Sequence, residues 1–187
     1  LPYTKALKLV RSRKNKQALL KTAVRNMKSY DQPLREFELA DLTYELKVSA
    51  ACFGQLKRHR MATLIPQPYD PALGLIIPQA IQAIGYTQEF QKIADQSAKL
   101  YHDIRKASAL GAEYILTNAH QRKLICKLNL RELYHMSRLR EDAHAQWDIH
   151  NITTLMVNQA KKKLPVTTCF IGGKDKFAQI YEKLFTK

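Results

Sequence analysis

The sequence predicts an α+β fold, in which single strands are set among longer helices. Three observations carry that expectation. Thr43-Tyr44-Glu45-Leu46-Lys47-Val48 is rich in β-type residues with partial alternation, and Leu124, Cys126 and Leu128 alternate with Lys123 and Lys127, the period of a strand with one buried face. Between them Phe90, Ile93, Ala94, Ser97, Leu100, Tyr101 and Ile104 recur at the helical period of about 3.6. The 187 residues, 45% hydrophobic, show no internal repeat and suffice for one compact domain spanning 1–187.

Residues 4–28 read as a basic N-terminal helix with Leu7, Val10, Leu20, Val24 and Met27 apolar amid lysines and arginines. Pro33 opens a short helical or irregular segment to Asp41. After the first strand, the Ser49 hydroxyl is placed to cap a helix running to about Arg60. Residues 61–78 hold Pro66, Pro68, Pro71 and Pro78 and read as a loop. The Phe90 helix is expected to be capped by Thr87 and stopped by Gly111. The second strand leads into a helix from Leu130 to Leu139. Asp142 is then expected to cap another helix, which carries Ile149, Ile152, Leu155 and Met156 inward until Pro165. In the lysine-rich tail, 161–187, Phe177, Tyr181 and Phe185 are spaced by four and read as a helix's buried stripe.

The formal charge is +15, but it is unevenly placed. Residues 1–30 hold nine Lys/Arg and no acid, and 161–187 hold seven Lys and two acids, whereas 31–160 carry 15 basic and 14 acidic side chains. No apolar run approaches the ~18 residues of a membrane span, so no membrane partner is expected. The first segment has no apolar core of a secretory signal. Cys52, Cys126 and Cys169 are odd in number and widely separated, which favours a reducing, cytoplasmic compartment. The chain starts Leu1-Pro2-Tyr3, as a trimmed sequence or a piece of a longer polypeptide would.

Phosphate-loop spacings are absent, and so is any HxxxH or CxxC pair, so no metal site is expected. Two basic clusters remain. Arg58-His59-Arg60 follows Gln55 at a helix end, where cations suit the dipole but adjacent guanidinium forks also grip anionic oxygens. Arg131, His135 and Arg138, spaced i, i+4, i+7, share one helical face, either a solvated stripe or the wall of an anion pocket.

These residues carry a resemblance. Val48-Ser49 with Gln55-Leu56-Lys57-Arg58-His59-Arg60 resembles the VS…QxxRHR signature of flavin-dependent thymidylate synthases. Asn129-Leu130-Arg131-Glu132-Leu133, running to Leu139-Arg140, is similar to the family's N-x-R-x-L…LR helix, and Ala145-Gln146-Trp147-Asp148-Ile149 to its AQWEI segment. The resemblance covers roughly 43–165. It implies a curved, mostly antiparallel sheet flanked by helices, a homo-oligomer (a tetramer in the family), and the making of dTMP from dUMP with FAD, NADPH and methylene-tetrahydrofolate. By the same resemblance Arg58, His59, Met61, Asn129, Arg131 and His135 lie along FAD, and Gln55, Arg58 and Arg140 approach dUMP. Arg140 would be the catalytic group, since a fixed guanidinium favours the ionised uracil.

The chain departs from the pattern after Arg60. Where the family reads xxSxNExSxRY, this sequence has Pro66 for the Glu, Pro68 for the Ser and Asp70 for the Arg, and a further family arginine aligns with Glu113. Acids in place of cations repel a phosphate dianion, so a weakened dUMP site is expected, in a half that supplies flavin contacts to a tandem partner domain or is mainly structural. The alternative is a non-catalytic nucleic-acid-binding protein that uses the basic ends, whose binding would weaken steeply with salt.

Overall fold

A computed structural model describes residues 2–12 and 16–186. The helices are α1 (Tyr3–Ser12), α2 (Lys16–Val24), α3 (Ala50–Leu56), α4 (Gln79–Ala83), α5 (Thr87–Arg105), α6 (Ala109–Ala112), α7 (Leu130–Arg140), α8 (Trp147–Lys163) and α9 (Phe177–Phe185). The strands are β1 (Asp41–Ser49), β2 (Thr63–Pro66) and β3 (Gln121–Asn129), an α+β arrangement. The chain packs as two compact units, Thr43–Leu128 and Leu1–Leu42 with Asn129–Lys187.

In the Thr43–Leu128 unit the sheet order is β1-β3-β2. β2 runs antiparallel to β3, with Thr63 opposite Lys127 and Pro66 opposite Leu124. Just beyond β1 the Ala50 amide donates to the His120 carbonyl at 3.0 Å, and just beyond β3 the Leu130 amide donates to the Ala40 carbonyl at 2.8 Å. The end of one strand thus lies beside the start of the other, so this pair is antiparallel too. Tyr44, Leu46 and Val48 are buried along β1, and Leu124, Cys126 and Leu128 along β3, which realises the alternation. Burial pushes the Tyr44 hydroxyl up to about 12, with Cys126 adding to it.

The 61–78 stretch is not wholly a loop, because β2 lies within it. Two prolines disguise it. The Gln67 amide reaches the Lys123 carbonyl at 2.9 Å, so by alternation the Pro66 nitrogen points to the open side of an edge strand, where a missing N–H removes no ladder bond. The helix capped by Ser49 is real, with the hydroxyl accepting from the Cys52 amide at 3.0 Å. It ends at Leu56, short of Arg60, because the backbone tightens into bonds from the Arg58 amide to Gln55 and from the His59 amide to Leu56.

In α5 only Ala94, Ser97 and Tyr101 are fully buried, while Ile93 and Leu100, one residue before them and so about 100° round the helix, are exposed. Thr87 is the first helical residue and Tyr86 takes the cap position without a side-chain bond. The helix stops at Arg105, and Gly111 sits inside α6 instead of ending α5. Tyr101 donates to the Tyr69 carbonyl at 3.0 Å. The buried His120 ring accepts from the Thr117 amide at 3.1 Å through Nδ1, and burial lowers its pKa.

In the other unit, the expected continuous helix over 4–28 appears as α1 and α2, which ends at Val24; residues 13–15 lie outside the described residues. α8 is capped by Gln146, whose Oε1 accepts the Asp148 and Ile149 amides at 3.1 Å. Asp142, expected at that position, instead accepts the His144 amide at 3.0 Å in the preceding turn. Ile149 and Met156 are buried, whereas Leu155 is 58% exposed, off their face. Phe170 gathers Phe177, Tyr181 and Phe185 at centroid distances of 5.1, 6.1 and 6.3 Å, so the α9 stripe packs half-buried. Gly173 is held by close approach: a Cβ there would lie 2.5 Å from the Glu141 carbonyl oxygen. No described helix is long and apolar enough to cross a membrane.

Candidate functional site

The two clusters fall in different units, and each has its own geometry. In the Thr43–Leu128 unit, Gln55 lies half-buried in the last turn of α3, and the tight turn after the helix leaves Arg58 and Arg60 exposed around His59, which is only 5% exposed. Met61 stands 73% exposed, two residues before β2 begins at Thr63. The fold thus offers two guanidinium groups on either side of a buried imidazole, a surface suited to phosphate oxygens.

Positions 66–70 and 113 belong to the same unit. Asp70 accepts from the Ala72 amide at 2.9 Å, capping the short turn Pro71–Leu73, and Glu113 opens a similar turn, Glu113–Ile115. A cation that the motif spacing missed lies nearby in sequence to none of these. Arg122 on β3 sits 4.7 Å from the Phe53 ring centroid and 4.1 Å from that of Tyr69, and its Nε donates to the Gln67 carbonyl at 2.9 Å. That stacking closes β2 onto its neighbours, and no local pattern announces it.

In the other unit, Asn129, Arg131, His135 and Arg140 are carried by α7 and its cap. The Asn129 Oδ1 accepts from the Glu132 amide at 2.9 Å, which starts the helix at Leu130. Arg131 Nε donates to the Pro33 carbonyl at 2.8 Å and its Nη1 meets Glu38 at 3.0 Å. His135 Nδ1 lies 3.1 Å from the Gln32 amide nitrogen. Arg138, buried, donates to the Asp31 carbonyl, and its guanidinium lies 5.8 Å from the Phe177 centroid. Burial lowers the Arg138 pKa, with Asp31 and Tyr134 opposing that shift.

The expected basic face therefore exists, and all three of its members reach the segment 31–38. The sequence marks Pro33 as the start of a segment, but not that Asp31, Gln32, Pro33 and Glu38 contact this face, since their partners lie far along the chain. Arg140, half-buried, closes the last turn of α7, apart from that face. Ser137 Oγ donates to Glu141, and Asp142 lies 3.0 Å from His144 Nδ1 and 3.9 Å from Lys174. The His144 amide is the main reason the Asp142 carboxyl sits below the usual carboxylate range.

The thymidylate synthase complementing protein family matches residues 3–166. The chain belongs to that family. A flavin-dependent thymidylate synthase of Thermococcus onnurineus is 31% identical over 137 residues, covering 67% of this chain and 56% of that protein. The corresponding protein of Pyrococcus furiosus is 29% identical over 138 residues, covering 67% and 57%. The UPF0159 protein Ta1429 of Thermoplasma acidophilum is 24% identical over 133 residues, covering 70% of this chain but 27% of its own length. The chain thus spans little more than half of the curated synthases it matches. Both thymidylate synthase-like motif blocks lie inside the matched range.

Each unit separately presents polar groups of the kind a flavin takes. Arg58 offers an exposed guanidinium, Asn129 keeps its side-chain amide nitrogen beyond its capping oxygen, and Gln32 beside His135 has a buried Oε1 without a hydrogen-bond partner. An unmet acceptor next to an imidazole suits a ligand that brings its own N–H.

Proposed function

We propose that this chain is a flavin-binding module of a thymidylate-forming protein whose nucleotide-phosphate subsite is weakened. The FAD-side contacts are Arg58, His59, Met61, Asn129, Arg131 and His135. Gln55, Arg58 and Arg140 face dUMP, with Arg140 stabilising negative charge on the uracil ring, so that the nucleotide is activated without an enzyme nucleophile. When bound, the flavin supplies the reducing hydride, drawn from NADPH, while methylene-tetrahydrofolate brings the carbon.

One contrast carries the reading. Arg58 is exposed and able to meet a phosphate, whereas Asp70 brings a carboxylate to a position where the family motif has an arginine, and Glu113 does the same at a second. A dianion meets two acids there in place of two cations, and each reversal changes attraction to repulsion. The flavin side keeps its cations and amides. A second domain, or another copy in a homo-oligomer, would supply the missing phosphate ligands.

The test has two arms on the purified chain. FAD fluorescence quenching reads flavin binding, and tritium release from labelled dUMP reads catalysis. The expected outcome is saturable FAD binding with little release, and release that rises in the double variant Asp70→Arg with Glu113→Arg. Absence of FAD binding overturns the flavin assignment, and robust release by the unaltered chain overturns the weakened subsite.

A further inference from the structure

The unit formed by Leu1–Leu42 and Asn129–Lys187 contains a cavity of ≈ 350 Å³ whose lining shares no residue with either cluster. Three helices each contribute a lysine to its lining: Lys21 from α2, Lys161 from α8 and Lys183 from α9. Its apolar wall is Ile171, Ile180 and Leu184. Most of these residues lie beyond 166, where the family match ends. Among the described residues that line it, none is acidic.

Two features make it more than a dent between lysines. Lys21 Nζ donates to the Leu184 carbonyl at 2.7 Å, so one cation is fixed against the last turn of α9, where the helix dipole favours it. Ile180 also packs against the Gly172 backbone, where a Cβ would come 2.5 Å from Ile180 Cδ1. Three lysines around an apolar wall with no acid in the lining suit an anion that has an apolar part. The volume is at the small end of ligand cavities, roughly 300–1,000 Å³.

We propose that this cavity is a binding site for a small organic anion, a carboxylate or phosphate monoester carrying a short alkyl or aromatic group. The lysines hold the anionic head and Ile171, Ile180 and Leu184 cover the apolar part. Inorganic anions lack the second half of that recognition, and organic cations the first.

Anilinonaphthalene sulfonate, an amphipathic anion that fluoresces when desolvated, is the probe for the full chain. Octanoate and octyl phosphate should displace it, the relative potency of the two telling carboxylate from phosphate preference, while octylammonium and inorganic phosphate should not. The double variant Lys161→Gln with Lys183→Gln, at two exposed positions, should bind the probe about tenfold more weakly. Octanoate should also slow alkylation of Cys169, the half-buried cavity cysteine, read by mass spectrometry, with the buried Cys52 and Cys126 as internal controls. Displacement by octylammonium as good as by octanoate, inorganic phosphate matching octyl phosphate, or undiminished probe binding by the variant overturns the proposal. If the variant's thermal melt departs from that of the unaltered chain, Cys169 protection in the unaltered chain decides, and its absence overturns the proposal.

Discussion

Replacing Arg131 with Met separates two roles for that side chain. Its Nε bond to the Pro33 carbonyl is a charged-donor hydrogen bond of 2.8 Å to a buried residue, and such bonds contribute about 1.5 kcal/mol. Its pair with Glu38 is 3.0 Å long, but the two side chains are 34% and 31% exposed, so solvent screening limits it to roughly 0.5 kcal/mol. Arg131→Met should therefore destabilise the Leu1–Leu42 and Asn129–Lys187 unit by about 2 kcal/mol, because the methionine keeps the aliphatic packing and removes both bonds. Glu38→Gln alone should cost about 0.5 kcal/mol, and the double variant should match Arg131→Met. Urea denaturation followed by circular dichroism measures all three. A melt for Arg131→Met that coincides with the unaltered chain's, or additive losses in the double variant, would refute the argument that Arg131 anchors the 31–38 segment.

Two further outcomes follow from other parts of the fold. Burial holds the His120 pKa below 6.5, so between the folded and unfolded values the unfolded chain binds more protons. Stability should be fully present above about 6.5 and fall as pH drops below it; urea midpoints at pH 7.5 and 5.5 should differ more for the unaltered chain than for His120→Gln, and equal differences would sink the assignment. Gly173→Ala places a methyl 2.5 Å from the Glu141 carbonyl oxygen, a backbone atom that cannot swing aside, so a loss of about 1–3 kcal/mol is expected in thermal or urea melts. An unchanged melt would mean that the 141 and 173 segments separate freely.

What could be read from the chain was whatever repeats locally. β1, β3 and α7 were legible because burial imposes a period of two or 3.6 on neighbouring residues, and Ser49 because a cap acts across three residues. β2 was hidden since its pairing partner is β3, far along the chain, and Pro66 and Pro68 look like loop residues until the open edge explains them. The start of α8 was misplaced by four residues because Asp142 and Gln146 both accept backbone amides, one in a turn and one at the helix, and residue type does not separate those uses. The clusters show the same limit. The face of Arg131, His135 and Arg138 follows from spacing, but its contacts with Asp31, Gln32, Pro33 and Glu38 cross roughly a hundred residues, and so cannot be seen in any window of local pattern.

The strand order β1-β3-β2 also sets a timetable for folding. The central strand is the last of the three to be synthesised, roughly 70 residues after β1 is complete. Until β3 arrives, β1 and β2 have no neighbour in the sheet, and their main-chain donors and acceptors stand open to other chains. Local helices such as α5 can form in that interval, whereas the sheet closes in one late step with a large loop-closure cost. A nascent or truncated polypeptide that stops before Gln121 therefore presents two orphan strands, the form most prone to aggregate and most in need of a chaperone.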